Sequence, residues 1–136
     1  MMTGKELCAL AKTAMKNAYV PYSGFRVGAA LLCADGSVFT GCNIENAAFT
    51  PTVCAERTAI FKAISEGKKE FAAIAVASGK TDGGAASFPP CGVCRQVLAE
   101  FCAPEMPVYV LEGSGEVRAY TLQELLPFAF TPKFMK

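Results

Sequence analysis

Three cysteines and one glutamate carry spacings that suit metal-assisted chemistry. Cys54-Ala-Glu56 sets a carboxylate two residues after a thiol, and Pro90-Cys-Gly-Val-Cys94 sets two thiols three positions apart. The C-x-x-C spacing lets two thiolates share one metal ion. A redox dithiol uses the same letters, and two buried thiols are the plainest alternative. The third thiol, Cys54, tips the balance toward a metal. The chain has no histidine, so a zinc site here must be built from sulfur. Cys54, Cys91 and Cys94 all fall at expected helix starts, where the partial positive charge of the helix end lowers thiol pKa values and favours three thiolates. Three protein ligands leave one position of a tetrahedral zinc open, which is the catalytic pattern; a fourth ligand, from Cys42 or Cys102, would make the site structural instead.

Glu56 stands two residues beyond Cys54, and residues so spaced in a helical turn point to nearly opposite sides. Joint chelation is therefore awkward, but Glu56 can lie over the open face of the metal and carry a proton to or from bound water. An acidic residue favoured by the helix dipole is the alternative. Three thiolates with one zinc ion carry a net negative charge, which makes bound water less acidic. A guanidinium on a thiolate withdraws some of that charge. Arg57 and Arg95 are the candidates, with Arg57 nearer the first ligand.

The elements that must hold these residues follow from pattern. Thr3 and Glu6 have capping-box spacing, and Leu7, Leu10, Ala11, Ala14 and Ala18 predict a helix over about Lys5–Ala18. Phe25 to Cys33 is apolar apart from Arg26, and Asp35-Gly36 turns it into a second strand, Val38 to Cys42. A strand apolar on both faces implies a sheet covered on both sides. Thr50-Pro51 suggests a helix over about Val53–Ser65, stopped at Gly67. Phe71 to Ala77 reads as a buried strand, Gly79 to Ser87 as a glycine-rich loop, and Cys91 to Phe101 as a third helix. Val108 to Leu111 and Val117 to Tyr120 are joined by a link too short for a parallel crossover, so they pair antiparallel. Thr121 caps a last short helix. This order predicts a three-layer α/β/α domain around a mixed five-stranded sheet, with both cysteine motifs at one sheet edge.

The totals narrow the field. A chain of 136 residues fits one domain, taken as 1–136. Hydrophobic residues at 52% against charged residues at 18% argue for a packed core rather than disorder. A net charge of +1 without a basic stripe disfavours nucleic acid as a partner. No apolar run is long enough to span a bilayer, so no membrane partner is expected. The amino terminus lacks the apolar core of a secretory signal. Seven cysteines cannot all pair internally, which suits a reducing, cytoplasmic compartment.

Taken together, the two cysteine motifs resemble those of the zinc nucleoside and nucleotide deaminases, in their three-cysteine form. Pro21-Tyr-Ser-Gly-Phe-Arg-Val-Gly-Ala-Ala30, Gly41-Cys-Asn-Ile-Glu-Asn-Ala47 and Leu125-Leu-Pro-Phe-Ala-Phe130 are similar to segments of the small cytidine deaminases, so the likeness spans nearly the whole chain. The resemblance implies hydrolysis of cytidine and deoxycytidine to the uridines with release of ammonia, as in pyrimidine salvage. It implies one Zn2+ per subunit on Cys54, Cys91 and Cys94, with Glu56 as the proton carrier. It implies substrate contacts from Phe25 to the pyrimidine, Asn43 and Glu45 to the ribose 3′-hydroxyl, and the Ala55 backbone to the base. It also implies a homotetramer with sites at subunit interfaces, Phe130 being lent to a neighbour's site. A deaminase of blasticidin-type nucleosides, a zinc-stabilised binding protein and a polynucleotide editor are the competing readings. Two departures stand out: Phe128 occupies a position that is usually glycine in the family, and Phe49 one that is often tyrosine.

Overall fold

The computed structural model describes residues 2–135. Helix α1, Gly4–Ala14, opens on the expected capping box: the Thr3 hydroxyl accepts from the Glu6 amide, and the Glu6 carboxylate accepts from the Thr3 amide. A helix of eleven residues is marginal by itself in water, so α1 needs the apolar face made by Leu7, Cys8 and Ala11, all buried. The helix stops short of the expected Ala18. Met15–Asn17 tightens into a 3-10 turn, and Tyr19 then gives its amide to the Asn43 carbonyl and takes the Glu45 amide. Those strand-like bonds consume the backbone groups that a longer helix would need.

Strands β1 (Phe25–Cys33) and β2 (Val38–Cys42) form the expected hairpin, antiparallel with Leu32 opposite Val38 and Gly28 opposite Cys42. Strand β3 (Phe71–Lys80) pairs antiparallel with β1, and β5 (Pro107–Leu111) runs parallel to β3. Strand β6 (Val117–Thr121) closes the sheet antiparallel to β5, as its short connection required. The spatial order is β2-β1-β3-β5-β6. The expected glycine-rich loop from Gly79 is partly strand: β3 continues to Lys80, and the two-residue β4 (Ala85–Ala86) folds back on it, Ser78 facing Ala86. The sheet thus has six strands rather than five. The extension exists because Phe25 and Arg26 at the start of β1 offer partners to Lys80 and Gly79.

Both faces of the sheet are covered. On one side, α1 buries Leu7, Cys8 and Ala11 against Ala30, Leu32, Ala73, Ala75 and Ala77. On the other side, Ala29, Leu31, Ile74 and Val108 meet the two remaining long helices. These are α2 (Ala55–Ser65) and α3 (Gly92–Phe101). Each fully buried Leu or Ile contributes roughly 1.5–3 kcal/mol. The alanine-rich inner positions let the helices approach closely. At Gly28 the approach is complete: a Cβ there would lie 1.9 Å from the Ala11 carbonyl oxygen. Helix α2 begins at Ala55 rather than at Val53. Val53 is held in a backbone bridge to Ile44, so the chain remains extended through Cys54, which caps the helix. Gly67, at φ 92°, ends it as expected. The short α4 (Leu122–Leu125) carries the Thr121–Glu124 capping box.

Candidate active site

The two helix starts that carry the thiols meet. Cys54 precedes α2 and Cys91 precedes α3, each with extended backbone, while Cys94 sits in the first turn of α3. The Cys54 and Cys91 sulfurs are 3.6 Å apart and those of Cys91 and Cys94 3.4 Å. All three lie within 4.8 Å of one another. A tetrahedral zinc with Zn–S near 2.3 Å needs sulfurs about 3.8 Å apart, so the donor set fits zinc closely. Among the described residues neither Cys42 nor Cys102 joins the group, and one tetrahedral position is left for a non-protein ligand.

Without a metal ion the three thiols do not ionise alike. Hydrogen bonding from Cys94, then from Arg57 and Cys91, pulls Cys54 down to about 5 against the effect of burial. Cys94 is driven strongly upward, first by its bond to Cys54 and then by burial. The sulfurs are too close for their charges to be independent, so one thiolate suppresses the next. A bound dication supplies what the helix ends cannot.

Glu56 is the only buried acidic residue among the described residues, 3% exposed. Burial, with the Cys54 charge adding to it, pushes its carboxyl up to about 7. A carboxyl poised near neutrality can both take and give a proton. Arg57 donates from Nη2 to the Cys54 sulfur at 3.5 Å. Arg95, the alternative, is otherwise occupied: its Nε donates to the Pro90 carbonyl at 2.7 Å and its Nη1 to the Leu125 carbonyl at 2.6 Å. It ties α3 to the carboxy-terminal segment.

Cys54, Cys91 and Glu56 open on a cavity of about 190 Å³, walled also by Asn43, Val27, Val76, Phe88 and Pro89. Asn43 lines it while bracing β1: its Oδ1 accepts from the Val27 amide at 2.9 Å, and its Nδ2 donates to the Phe25 carbonyl at 2.9 Å. Those bonds fix the side chain and leave each polar atom capacity for one further partner. Glu45 is placed differently. Its carboxylate accepts from the Tyr22 and Ser23 amides at 3.0 and 3.1 Å, holding the turn before β1, and it does not line the cavity. Ala55 is the first residue of α2 and fully buried, and the first-turn amides have no intrahelical acceptor. Phe25 is not among the residues that line the cavity but touches one that is: its ring meets that of Phe88 edge to face, with centroids 5.4 Å apart. Phe130 is 60% exposed and stacks on Phe134, away from the cavity of its own chain.

Phe88 was not identified from the sequence. Its one signal was position, directly before Pro89-Pro-Cys91. A larger apolar groove of about 620 Å³ lies between α3 and the carboxy-terminal segment. It holds none of Cys54, Cys91 and Cys94, its one thiol being Cys102 and its one carboxylate the outward Glu100, so the smaller cavity is the one equipped for chemistry.

Comparison with known proteins agrees with this arrangement. The family described as the cytidine and deoxycytidylate deaminase zinc-binding region matches residues 1–110. The chain is 52% identical over 130 residues to a cytidine deaminase of Sporosarcina psychrophila, covering 96% of this chain and 93% of that one. It is 52% identical over 122 residues to a cytidine deaminase of Halalkalibacterium halodurans, covering 90% and 89%. In structure it superposes on the crystal structure of cytidine deaminase from Burkholderia pseudomallei with a TM-score of 0.86 at 46% identity, covering 95% of this chain and 100% of that one.

Proposed function

The chain belongs to the cytidine and deoxycytidylate deaminase zinc-binding family, and from that premise we propose that it hydrolyses cytidine and deoxycytidine to the corresponding uridines and ammonia. The observation that carries this reading is the buried carboxyl of Glu56 beside a three-thiol zinc site that opens on a small cavity. Cys54, Cys91 and Cys94 would hold the ion, which would supply Lewis-acid activation of water for hydrolysis at C4 of the ring. Every other step belongs to the chain. Glu56 takes one proton from the attacking water and delivers it to ring N3, then takes the second from the new C4 hydroxyl as it becomes the carbonyl and gives it to the amine, which departs as ammonia. Its position near neutrality serves both directions. Arg57 draws charge from the Cys54 sulfur. Asn43, clamped by β1, presents its remaining donor and acceptor to the ribose 3′-hydroxyl. Glu45 shares that role on this reading by shaping the turn beside it, and the first-turn amide of Ala55 faces the base.

The working form on this reading is a homotetramer in the cytoplasm, with one zinc per subunit and Phe130 reaching a neighbour's cavity. The exposed aromatic group of Phe128, Phe130 and Phe134 supports it, as does the keeping of seven free cysteines. No helix among the described residues is long and apolar enough to cross a membrane.

Glu56→Gln tests the reading. Ammonia release from cytidine is expected to fall by about 10²–10⁴-fold while zinc per chain and melting temperature hold. A variant that keeps its turnover would remove Glu56 from the mechanism. Wild-type protein that releases ammonia from blasticidin S and not from cytidine would overturn the choice of substrate.

A further inference from the structure

We propose that Arg95 and Gln96, neighbours on α3, are positioning residues: together they set the path of the carboxy-terminal segment, and Arg95 ties that path to the loop that carries Cys91. The proposal rests on the deaminase reading above, with Phe130 serving a neighbour's cavity. Pro90 is fully buried, so its carbonyl needs a partner inside the protein. The Arg95 side chain supplies one, turning back past the start of α3 to donate from Nε at 2.7 Å. The next residue after Pro90 is Cys91. From the same guanidinium, Nη1 donates to the Leu125 carbonyl at 2.6 Å. Leu125 is the last residue of α4, where carbonyls lack intrahelical partners. A rigid planar fork can hold two carbonyls in fixed directions, whereas an ammonium on a flexible stem acts as a point charge.

Gln96 takes the far end of the segment. Its Nε2 donates to the Phe130 carbonyl at 2.8 Å. The two carbonyls held from α3 thus bracket Leu126 to Ala129. Inside the bracket Phe128 has φ 56° and a fully exposed ring. A residue with a side chain is disfavoured in the left-handed region, and the exposed ring gains no packing in return. Such a conformation persists where its surroundings over-determine it, and the bonds at either end do so. Releasing one of them lets Phe128 relax to negative φ. The backbone there lies two residues before Phe130, so the direction of that ring changes with it. Two side chains that do not line the cavity therefore govern an aromatic ring lent to the next subunit, and one of them also steadies the approach to Cys91.

The test uses zinc-loaded Gln96→Glu, Arg95→Lys, Phe128→Gly and the Gln96→Glu/Phe128→Gly double variant, with Phe130→Ala as the reference. Steady-state kinetics on cytidine and calorimetric binding of uridine, the product, are read beside melting temperature and the rate of zinc loss to a chelator. Gln96 is exposed, so its exchange disturbs little else. Gln96→Glu sets an acceptor against the Phe130 carbonyl, and is expected to raise KM and the uridine Kd about tenfold with zinc loss unchanged. Arg95→Lys should raise both likewise and also speed zinc loss about tenfold. Phe128→Gly, at ease at positive φ, should cut the effect of Gln96→Glu to about twofold. A purely structural role would lower the melting temperature without this split. Wild-type KM and Kd in Gln96→Glu, beside weakened uridine binding in Phe130→Ala, would overturn the proposal, as would an undiminished effect in the double variant. Uridine binding unchanged in Phe130→Ala would instead sink the neighbour's-cavity reading, and wild-type protein inert toward cytidine and uridine the deaminase reading; the proposal falls with either.

Discussion

Arg57 is placed to adjust a metal site without touching the metal. Its Nη2 donates to the Cys54 sulfur at 3.5 Å, where a thiolate otherwise keeps its full electron density. Three thiolates overcompensate a dication, and a guanidinium on one of them restores some of the ion's pull on a fourth ligand. Arg57→Gln keeps a donor but removes the charge. Partners of this kind typically govern metal affinity or activity by about 10–100-fold. We expect kcat to fall within that range, with the protein still folded. Zinc affinity measured against a competing chelator, together with turnover, checks this; wild-type values in both would leave Arg57 without the role. The identities of Cys54, Glu56, Arg57, Cys91 and Cys94 were all legible in the sequence because their spacing encodes chemistry locally. The choice between Arg57 and Arg95 was not fully so: only the fold shows Arg95 spent on the Pro90 and Leu125 carbonyls.

At the scale of elements, the site depends on how closely α2 lies on β2. Gly41 sits under the first turns of α2, and a Cβ there would fall 2.6 Å from the Ala59 nitrogen and 2.7 Å from the Ala55 oxygen. Both contacts are backbone, so the helix itself must move. Gly41→Ala is expected to cost about 1–3 kcal/mol and to shift the end of α2 that carries Cys54 and Glu56. A lower melting temperature with weaker zinc retention would show this; a variant that melts and holds zinc like wild type would show that α2 moves freely. The β1–β2 turn offers a separate test by pH. Lys68, and then Ser37 through its hydroxyl and amide, hold the Asp35 carboxyl well below the usual carboxylate range. The unfolded chain therefore takes up the proton first on acidification. The stabilisation is fully present above the ordinary value near 3.9 and is lost as the pH falls below it. Asp35→Asn retains a turn-forming residue before Gly36 but cannot titrate. Its melting temperature should lie below wild type at neutral pH and converge with it in acid; parallel curves would refute the assignment. The strands and caps behind these tests were legible from alternation and capping spacing. The late start of α2 was not, because the bridge between Val53 and Ile44 is a contact across sequence.

For the molecule as a whole, the carboxy-terminal segment stands out for its uncovered aromatic surface. Phe128 is fully exposed at φ 56°, in the left-handed region that favours glycine. Phe130 and Phe134 stack on each other with most of their surface uncovered. If Phe130 completes a neighbour's cavity, light scattering on the purified protein should give about four times the 14.3 kDa chain mass. Phe130→Ala should then weaken uridine binding more than it disturbs folding. A monomer with full activity would refute both parts.

By itself the sequence singled out the three candidate ligands and the carboxyl of Glu56 beside them, and it determined the order of the long elements and the two-sided sheet. Each of these is written in spacing or alternation within a few residues, or in the combination of two short motifs. The tertiary structure decided what depends on encounters between distant segments. It brought the starts of α2 and α3 together so that the sulfurs of Cys54 and Cys91 lie 3.6 Å apart. It turned Glu45 toward the Tyr22–Ser23 turn, paired β4 with the end of β3, and set Phe88 in the cavity wall in contact with Phe25. Such placements follow from packing and register across the sheet, which no local spacing records.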